Sequence, residues 1–185
     1  MSIETLQQET GVEILWRYFP LHPEIPEQGV SLAEYFKIDD DRAQTIHRGI
    51  REKITAQGLD YSAQPGTLYN TRMAQELAKW IDLHHPEFDA RKIFYNGFLV
   101  ENINLGQKEI LLDYIARQGL PRAEAEQVLK DNQMAEAINL DWGRSRSVGV
   151  TSIPSFLAHK VLLVGAQGIE KMREFYQYAL NNPPS

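Results

Sequence analysis

Apolar positions along the chain recur with two different spacings, and each spacing predicts an element. Over Ser2–Thr10, Ile3 and Leu6 share one side, which predicts a short helix closed by Gly11, a residue free to take positive φ. Val12–Phe19 (Val-Glu-Ile-Leu-Trp-Arg-Tyr-Phe) is rich in β-branched and aromatic residues, which predicts a strand; its near-continuous apolar set predicts burial on both faces. Pro20–Pro26 contains three prolines and reads as a loop. Helical spacing then dominates for more than a hundred residues. Ser31 and Glu34 form a capping-box pattern at the start of a short helix. Asp39-Asp40-Asp41 opens a longer helix to about Gln57, and Gly58 and Pro65-Gly66 punctuate the next loop. Asn70 caps a helix over Thr71–His84, with Met73, Leu77, Trp80 and Ile81 on one face and Pro86 beyond its end. Asp89 caps another, with Ile93, Phe94, Gly97 and Phe98 on a face. Further helices are predicted at Lys108–Gln118, Arg122–Lys130 and Asn132–Arg146.

Strand spacing returns late. Pro154–Ala158 and Val161–Val164 flank His159-Lys160, the shape of a tight hairpin. Gly165–Gly168 is a turn, Ile169–Leu180 an amphipathic helix, and Asn181–Ser185 a frayed tail. An early strand and a late hairpin cannot bury themselves separately, so they are expected to share one sheet. This gives an α/β fold with two parts: residues 1–30 with 147–185 around the sheet, and an all-helical insertion over 31–146.

Composition narrows the function. The 185 residues are 43% hydrophobic and 24% charged, as in globular proteins, which excludes collagen-like, disordered and disulfide-scaffold classes. The longest apolar runs, such as Phe98–Val100, Ile110–Leu112 and Val161–Val164, fall far short of the roughly 18 residues of a membrane span. No basic segment followed by an apolar one marks a signal peptide, so a cytoplasmic protein is expected. A net charge of −6 with scattered basic residues points away from nucleic acid and from membranes as partners. The chain has no cysteine, which removes disulfides, a thiolate nucleophile and Cys-ligated metal. The adjacent His84 and His85 with Glu87 superficially suggest a metal site. Adjacent histidines at a helix end diverge, however, and that end favours cationic His in any case, so no metal is expected. Asp39–Asp41 lacks the rest of a calcium loop and reads as a cap. Tyr69, Trp80, Phe94 and Phe98 read as core of the helical part, with a groove lining as the sharper option.

Thr151–Leu157 holds a proline inside a β-type run, where proline is confined to edges, starts and bulges. Pro154 either begins the strand or follows a cis Ile153–Pro154 bond. Gly149-Val150-Thr151-Ser152-Ile153-Pro154-Ser155-Phe156 resembles the cis-proline loop of the thioredoxin superfamily. Four further stretches extend the resemblance to the DsbA-like branch of FrnE-type dithiol oxidoreductases and 2-hydroxychromene-2-carboxylate isomerases. They are Trp16–Leu21 with Pro23; Asn70-Thr71-Arg72 with Ala74; Phe94–Phe98 with Glu101 and Ile103–Leu105; and Gly165–Gln167. Together they cover essentially the whole chain.

The resemblance implies a thioredoxin-like mixed sheet, with thiol–disulfide exchange on a protein or small-molecule substrate as the family role. It also implies an active site at the start of the family's first helix: Cys-x-x-Cys in the oxidoreductases, Ser in the isomerases. Ser2–Thr10 is similar only to the end of that helix. On the order of 20 residues of strand, turn and helix have no counterpart. The chain is expected either to start late relative to the family or to have a second copy fill that place as a homodimer. No catalytic residue and no cofactor carry over. Ser152, Ile153 and Pro154 carry over as substrate-binding positions that meet an extended peptide or disulfide substrate. Trp142, Arg144 and Arg146 precede this loop and could meet an acidic substrate such as glutathione, but a solvated helix end is the favoured reading of them. The expected chain is redox-inactive in itself. A glutathione-dependent isomerase and a non-catalytic peptide-binding module stand as alternatives. The module predicts binding that survives thiol-blocking reagents and is lost on Pro154→Ala.

Overall fold

The computed structural model describes residues 2–62 and 66–183; Pro65 lies outside the described residues. Contacts divide the chain after residues 21 and 139 into two units, one discontinuous (1–21 with 140–185) and one continuous (22–139).

The continuous unit is mostly helical. Its elements are β1 (Val30–Ser31), α2 (Leu32–Phe36), α3 (Asp40–Thr55), β2 (Thr67–Leu68), α4 (Arg72–His84), α5 (Ala90–Tyr95), α6 (Lys108–Arg117), α7 (Arg122–Lys130) and the start of α8 (Ala135–Ser147). Local chemistry starts several of these helices. Ser31 Oγ accepts the Glu34 N–H at 3.0 Å, Asp39 Oδ1 the Arg42 N–H at 2.7 Å, and Asp89 Oδ1 those of Arg91 and Lys92. Asn70 Oδ1 accepts the Arg72 N–H at 3.0 Å, so α4 begins one residue later than predicted. α8 also begins late, at Ala135. Asn132 sits at φ 53°, and the Gln133 N–H returns to the Val128 carbonyl, so Asn132 closes α7 instead of opening α8. β1 and β2 pair antiparallel over two residues each, too few for any periodic signal.

The core of this unit is Leu77, Ile81, Leu111, Leu112, Tyr114, Ile115 and Ile138, all essentially inaccessible. Burying each of the aliphatic side chains contributes about 1.5–3 kcal/mol. After α5 the chain makes a π-helical turn over Asn96–Val100, and Gly97 is buried there against Tyr114. α3 buries no residue fully.

The discontinuous unit holds α1 (Ser2–Thr10), the end of α8, the hairpin β3 (Ser155–Ala158) and β4 (Val161–Val164), and α9 (Ile169–Asn181). Gly11 follows α1 at φ 68°. α1 packs on α9, burying Leu6, Met172 and Ala179. The hairpin has the expected two-residue connection, with Ala158 opposite Val161 and His159 at φ 54°.

Val12–Phe19 corrects the sequence reading, because it forms no strand. Its residues are not buried on two faces; Leu15 is 65% and Trp16 39% exposed. β propensity is realised only against a partner strand, and here the Tyr18 N–H goes to a side chain, Asp141 Oδ2, at 3.4 Å. The expected single mixed sheet is likewise not formed among the described residues. They contain two separate two-stranded antiparallel sheets, and the hairpin pairs with no early strand.

Candidate functional site

The Ser152–Pro154 loop is built by the end of α8 and the start of β3. α8 unwinds through N–H groups of Val148, Gly149 and Val150 that return to carbonyls of Arg144, Arg146 and Ser145. Gly149 makes this possible at φ 81°. The Ile153–Pro154 peptide bond is cis. Two hydrogen bonds tie the loop to the hairpin. Ser155 Oγ donates to the Ser152 carbonyl at 2.7 Å, and the Gly165 N–H donates to the Pro154 carbonyl at 2.8 Å. Gly165, at φ 88°, therefore closes the open end of the hairpin against Pro154.

The backbone on either side of Ile153 is thus held, while Ile153 itself is not. Among the described residues, neither its N–H nor its carbonyl has a hydrogen-bond partner, and its side chain is 53% exposed. Ser152 is half-buried and Pro154 exposed. β3 has β4 as its one ladder partner among the described residues, so its other edge also presents unpaired backbone groups. Leu157 and Val164 add exposed apolar surface on the same hairpin. The arrangement offers backbone donors and acceptors beside apolar side chains, which is what an added extended segment requires.

The other sequence candidates fall elsewhere. Arg144 and Arg146 are exposed in the last turn of α8, and neither has an ion-pair partner among the described residues. Trp142 is half-buried. Asp39 is spent as the cap of α3. No group of three His, Asp or Glu side chains among the described residues is placed to hold a metal. Of the four aromatics, Trp80 is buried, while Tyr69, Phe94 and Phe98 are half-buried. Tyr69 and Phe98 meet edge to face at 6.1 Å, whereas Trp80 turns to His85 at 4.6 Å. Tyr69 lies directly over Gly29, which takes φ 86° and has no room for a Cβ.

Sequence reasoning missed two tyrosine–histidine contacts. Tyr35 Oη donates to Glu24 and lies 2.9 Å from His22 Nδ1. The bond to Glu24 raises the Tyr35 pKa and lowers that of the carboxylate. Tyr61 Oη lies 2.9 Å from His47 Nε2, and burial raises the Tyr61 pKa. Neither pair has a regular sequence spacing that could have revealed it.

A mostly helical unit in the same chain as a cis-proline loop that leads into the first strand of a hairpin defines a thioredoxin-like protein of the DsbA type. The chain belongs to the DSBA-like thioredoxin domain family, whose model matches residues 1–177. Among solved structures it is similar to a protein described as a probable DsbA oxidoreductase from Streptomyces coelicolor. Identity there is 20%, over 100% of this chain and 82% of that one, with a TM-score of 0.83. It is also similar to a protein provisionally described as a protein disulfide isomerase from Nitrosomonas europaea, at 20% identity over 97% of this chain and 88% of that one, with a TM-score of 0.68. At such identities the likeness establishes the fold. A search of curated protein sequences finds no match. With no cysteine among its 185 residues, the chain carries this fold without a thiolate of its own. No helix among the described residues is long and apolar enough to cross a membrane.

Proposed function

We propose that this DsbA-like protein holds thiol- or disulfide-bearing protein substrates as extended segments along Ser152, Ile153 and Pro154, and is itself inactive in thiol–disulfide exchange. The observation that carries the reading is Ile153. Among the described residues its backbone donor and acceptor are both unpaired and the strand it leads into has one edge without a ladder partner, and Ile153 is 53% exposed. Strand addition uses such groups: the main chain supplies affinity and alternate side chains supply selection. Arg144 and Arg146, which have no carboxylate partner among the described residues, favour acidic residues flanking the bound segment. Within the family, the motifs Trp16–Leu21 and Phe94–Phe98 support placement near the FrnE-type branch. The same reading takes residues 31–146 as a helical insertion in a thioredoxin-like domain made of 1–30 and 147–185; the helical make-up of the continuous unit supports it.

The test is fluorescence anisotropy with a labelled, cystine-containing extended peptide. Binding should be unchanged by iodoacetamide treatment of the protein, because it has no thiol to block. It should weaken about tenfold or more on Ile153→Asp, the equivalent of ~1.4 kcal/mol. No insulin-reductase activity should accompany it. Equal binding by the Ile153→Asp protein, or measurable reductase turnover, would overturn the reading.

A further inference from the structure

We propose that the cleft around His85 is a second binding site, and that it takes a small organic cation: an ammonium group on a short apolar stem. The cleft lies within the continuous unit and has a volume of about 450 Å3, inside the roughly 300–1,000 Å3 range of small-ligand sites. Trp80, His84, His85, Glu124, Val128 and Gln133 line it. None of these residues belongs to the Ser152–Pro154 loop.

His85 carries the argument. Its Nε2 is the one buried side-chain polar atom without a hydrogen-bond partner among the described residues. Buried polar atoms are nearly always satisfied, so an orphan calls for an occupant. The ring cannot easily turn away to find one. The backbone is held by bonds to the Ile81 carbonyl and the Phe88 N–H, and the ring itself is packed edge to face by Trp80 at 4.6 Å and Phe88 at 6.5 Å. Two carboxylates stand just out of reach, Glu87 Oε1 3.7 Å from Nδ1 and Glu124 Oε2 3.8 Å from Nε2. The tautomer with its proton on Nδ1 directs that N–H at Glu87 and leaves the Nε2 lone pair facing the cleft beside Glu124.

In that tautomer Nε2 and the Glu124 carboxylate both present acceptors to the cleft. Besides Nε2 and the Glu124 carboxylate, the Gln133 side-chain amide has no partner among the described residues and can turn its oxygen to the cleft. Gln127, also on the wall, has its amide nitrogen committed to Asp131 at 2.6 Å, which leaves its oxygen. The cleft also lies at the C-terminal end of α4, the negative end of that helix's dipole. A donor-rich cation fits this set and an anion does not. An ammonium nitrogen about 2.9 Å from both Nε2 and Glu124 Oε2 would make the two bonds that the protein lacks. The apolar stem would then lie on Trp80 and Val128.

The test compares phenethylamine with 3-phenylpropionate, probes of similar shape and opposite charge, by NMR titration of the full 15N-labelled chain. The amine should shift the His85 imidazole and Trp80 indole signals and the anion should not. Glu124→Gln should weaken amine binding about tenfold. Glu124 is largely exposed, so this variant is expected to fold. Gln133→Lys should also weaken it, by placing a cation at the mouth. Equal binding of the two probes, unchanged affinity in Glu124→Gln, or no shift at His85 would overturn the proposal. The last result would leave a water bridging Nε2 and Glu124 as the occupant.

Discussion

The ring of Tyr114 lies directly against Gly97: a Cβ placed on that glycine would sit 2.7 Å from Tyr114 Cε1. The phenol passes the π-helical turn and donates a 2.7 Å hydrogen bond to the Ile93 carbonyl. The turn and the core of the helical unit are therefore set by one contact.

Gly97→Ala should push Tyr114 aside and destabilise the protein by about 1–3 kcal/mol, the usual range for overpacking. Tyr114→Phe keeps the ring and loses one buried hydrogen bond, at roughly 1–1.5 kcal/mol. Urea unfolding of the two variants checks the order. A Gly97→Ala protein as stable as the parent would mean that Tyr114 has room to move.

Burial raises the Tyr114 pKa from its ordinary 10.0 to about 12. Below pH 10 the phenol is protonated in both folded and unfolded chains, and the native contact is at full strength. Above pH 10 the unfolded chain ionises first, so stability falls as pH rises toward 12. At about 1.4 kcal/mol per pH unit, the loss is on the order of 2–3 kcal/mol. Urea midpoints measured across that window should drop more for the parent than for Tyr114→Phe.

Arg72 holds three groups at once. Its guanidinium bonds the Glu76 carboxylate, Asn139 Oδ1 at 2.7 Å and the Ala135 carbonyl at 2.9 Å, pinning α4 to the start of α8. Glu76 is 6% exposed. Arg72→Met strands that carboxylate and should cost about 3–5 kcal/mol, with much of the loss recovered in Arg72→Met/Glu76→Met. Thermal unfolding of the three variants completes the double-mutant cycle, and additive losses would argue against the coupling.

Asp141 is also nearly buried, and its carboxylate faces the Tyr18 N–H and the Arg17 guanidinium. Asp141→Ala should release residues 12–19, which no strand holds. The global loss should be modest, about 1–2 kcal/mol, while amide exchange at Tyr18 should accelerate strongly. Unchanged exchange there would show that other contacts fix the segment.

The helices were legible because their signals are local. Ser31, Asp39 and Asp89 cap their own helices with atoms two or three residues away, and the 3.6-residue spacing of Leu77 and Ile81 marks a face whatever it meets. The hairpin was legible for the same reason, since two residues join two strands in register. Membership of the thioredoxin-like family was legible from short motifs in a fixed order. The candidate site was only half visible. Its proline stood out within a β-type run, but that the backbone of Ile153 has no partner among the described residues could be found only by accounting for the hydrogen bonds of its neighbours.

What the sequence could not carry depends on atoms far apart along the chain. Val12–Phe19 has strand composition and no strand, because a ladder exists only where a second strand supplies its other half, and the Tyr18 amide met Asp141 instead. Gly97 looked like one more residue on a helix face until Tyr114 came to rest on it. His85 looked like one of two histidines at a helix end. Only packing removed its Nε2 from solvent and left Glu124 just beyond bonding distance. Local sequence determined where the chain turns and coils, since those energies are decided within a few residues. The tertiary structure decided which polar groups were left without partners, because desolvation depends on everything that folds around them.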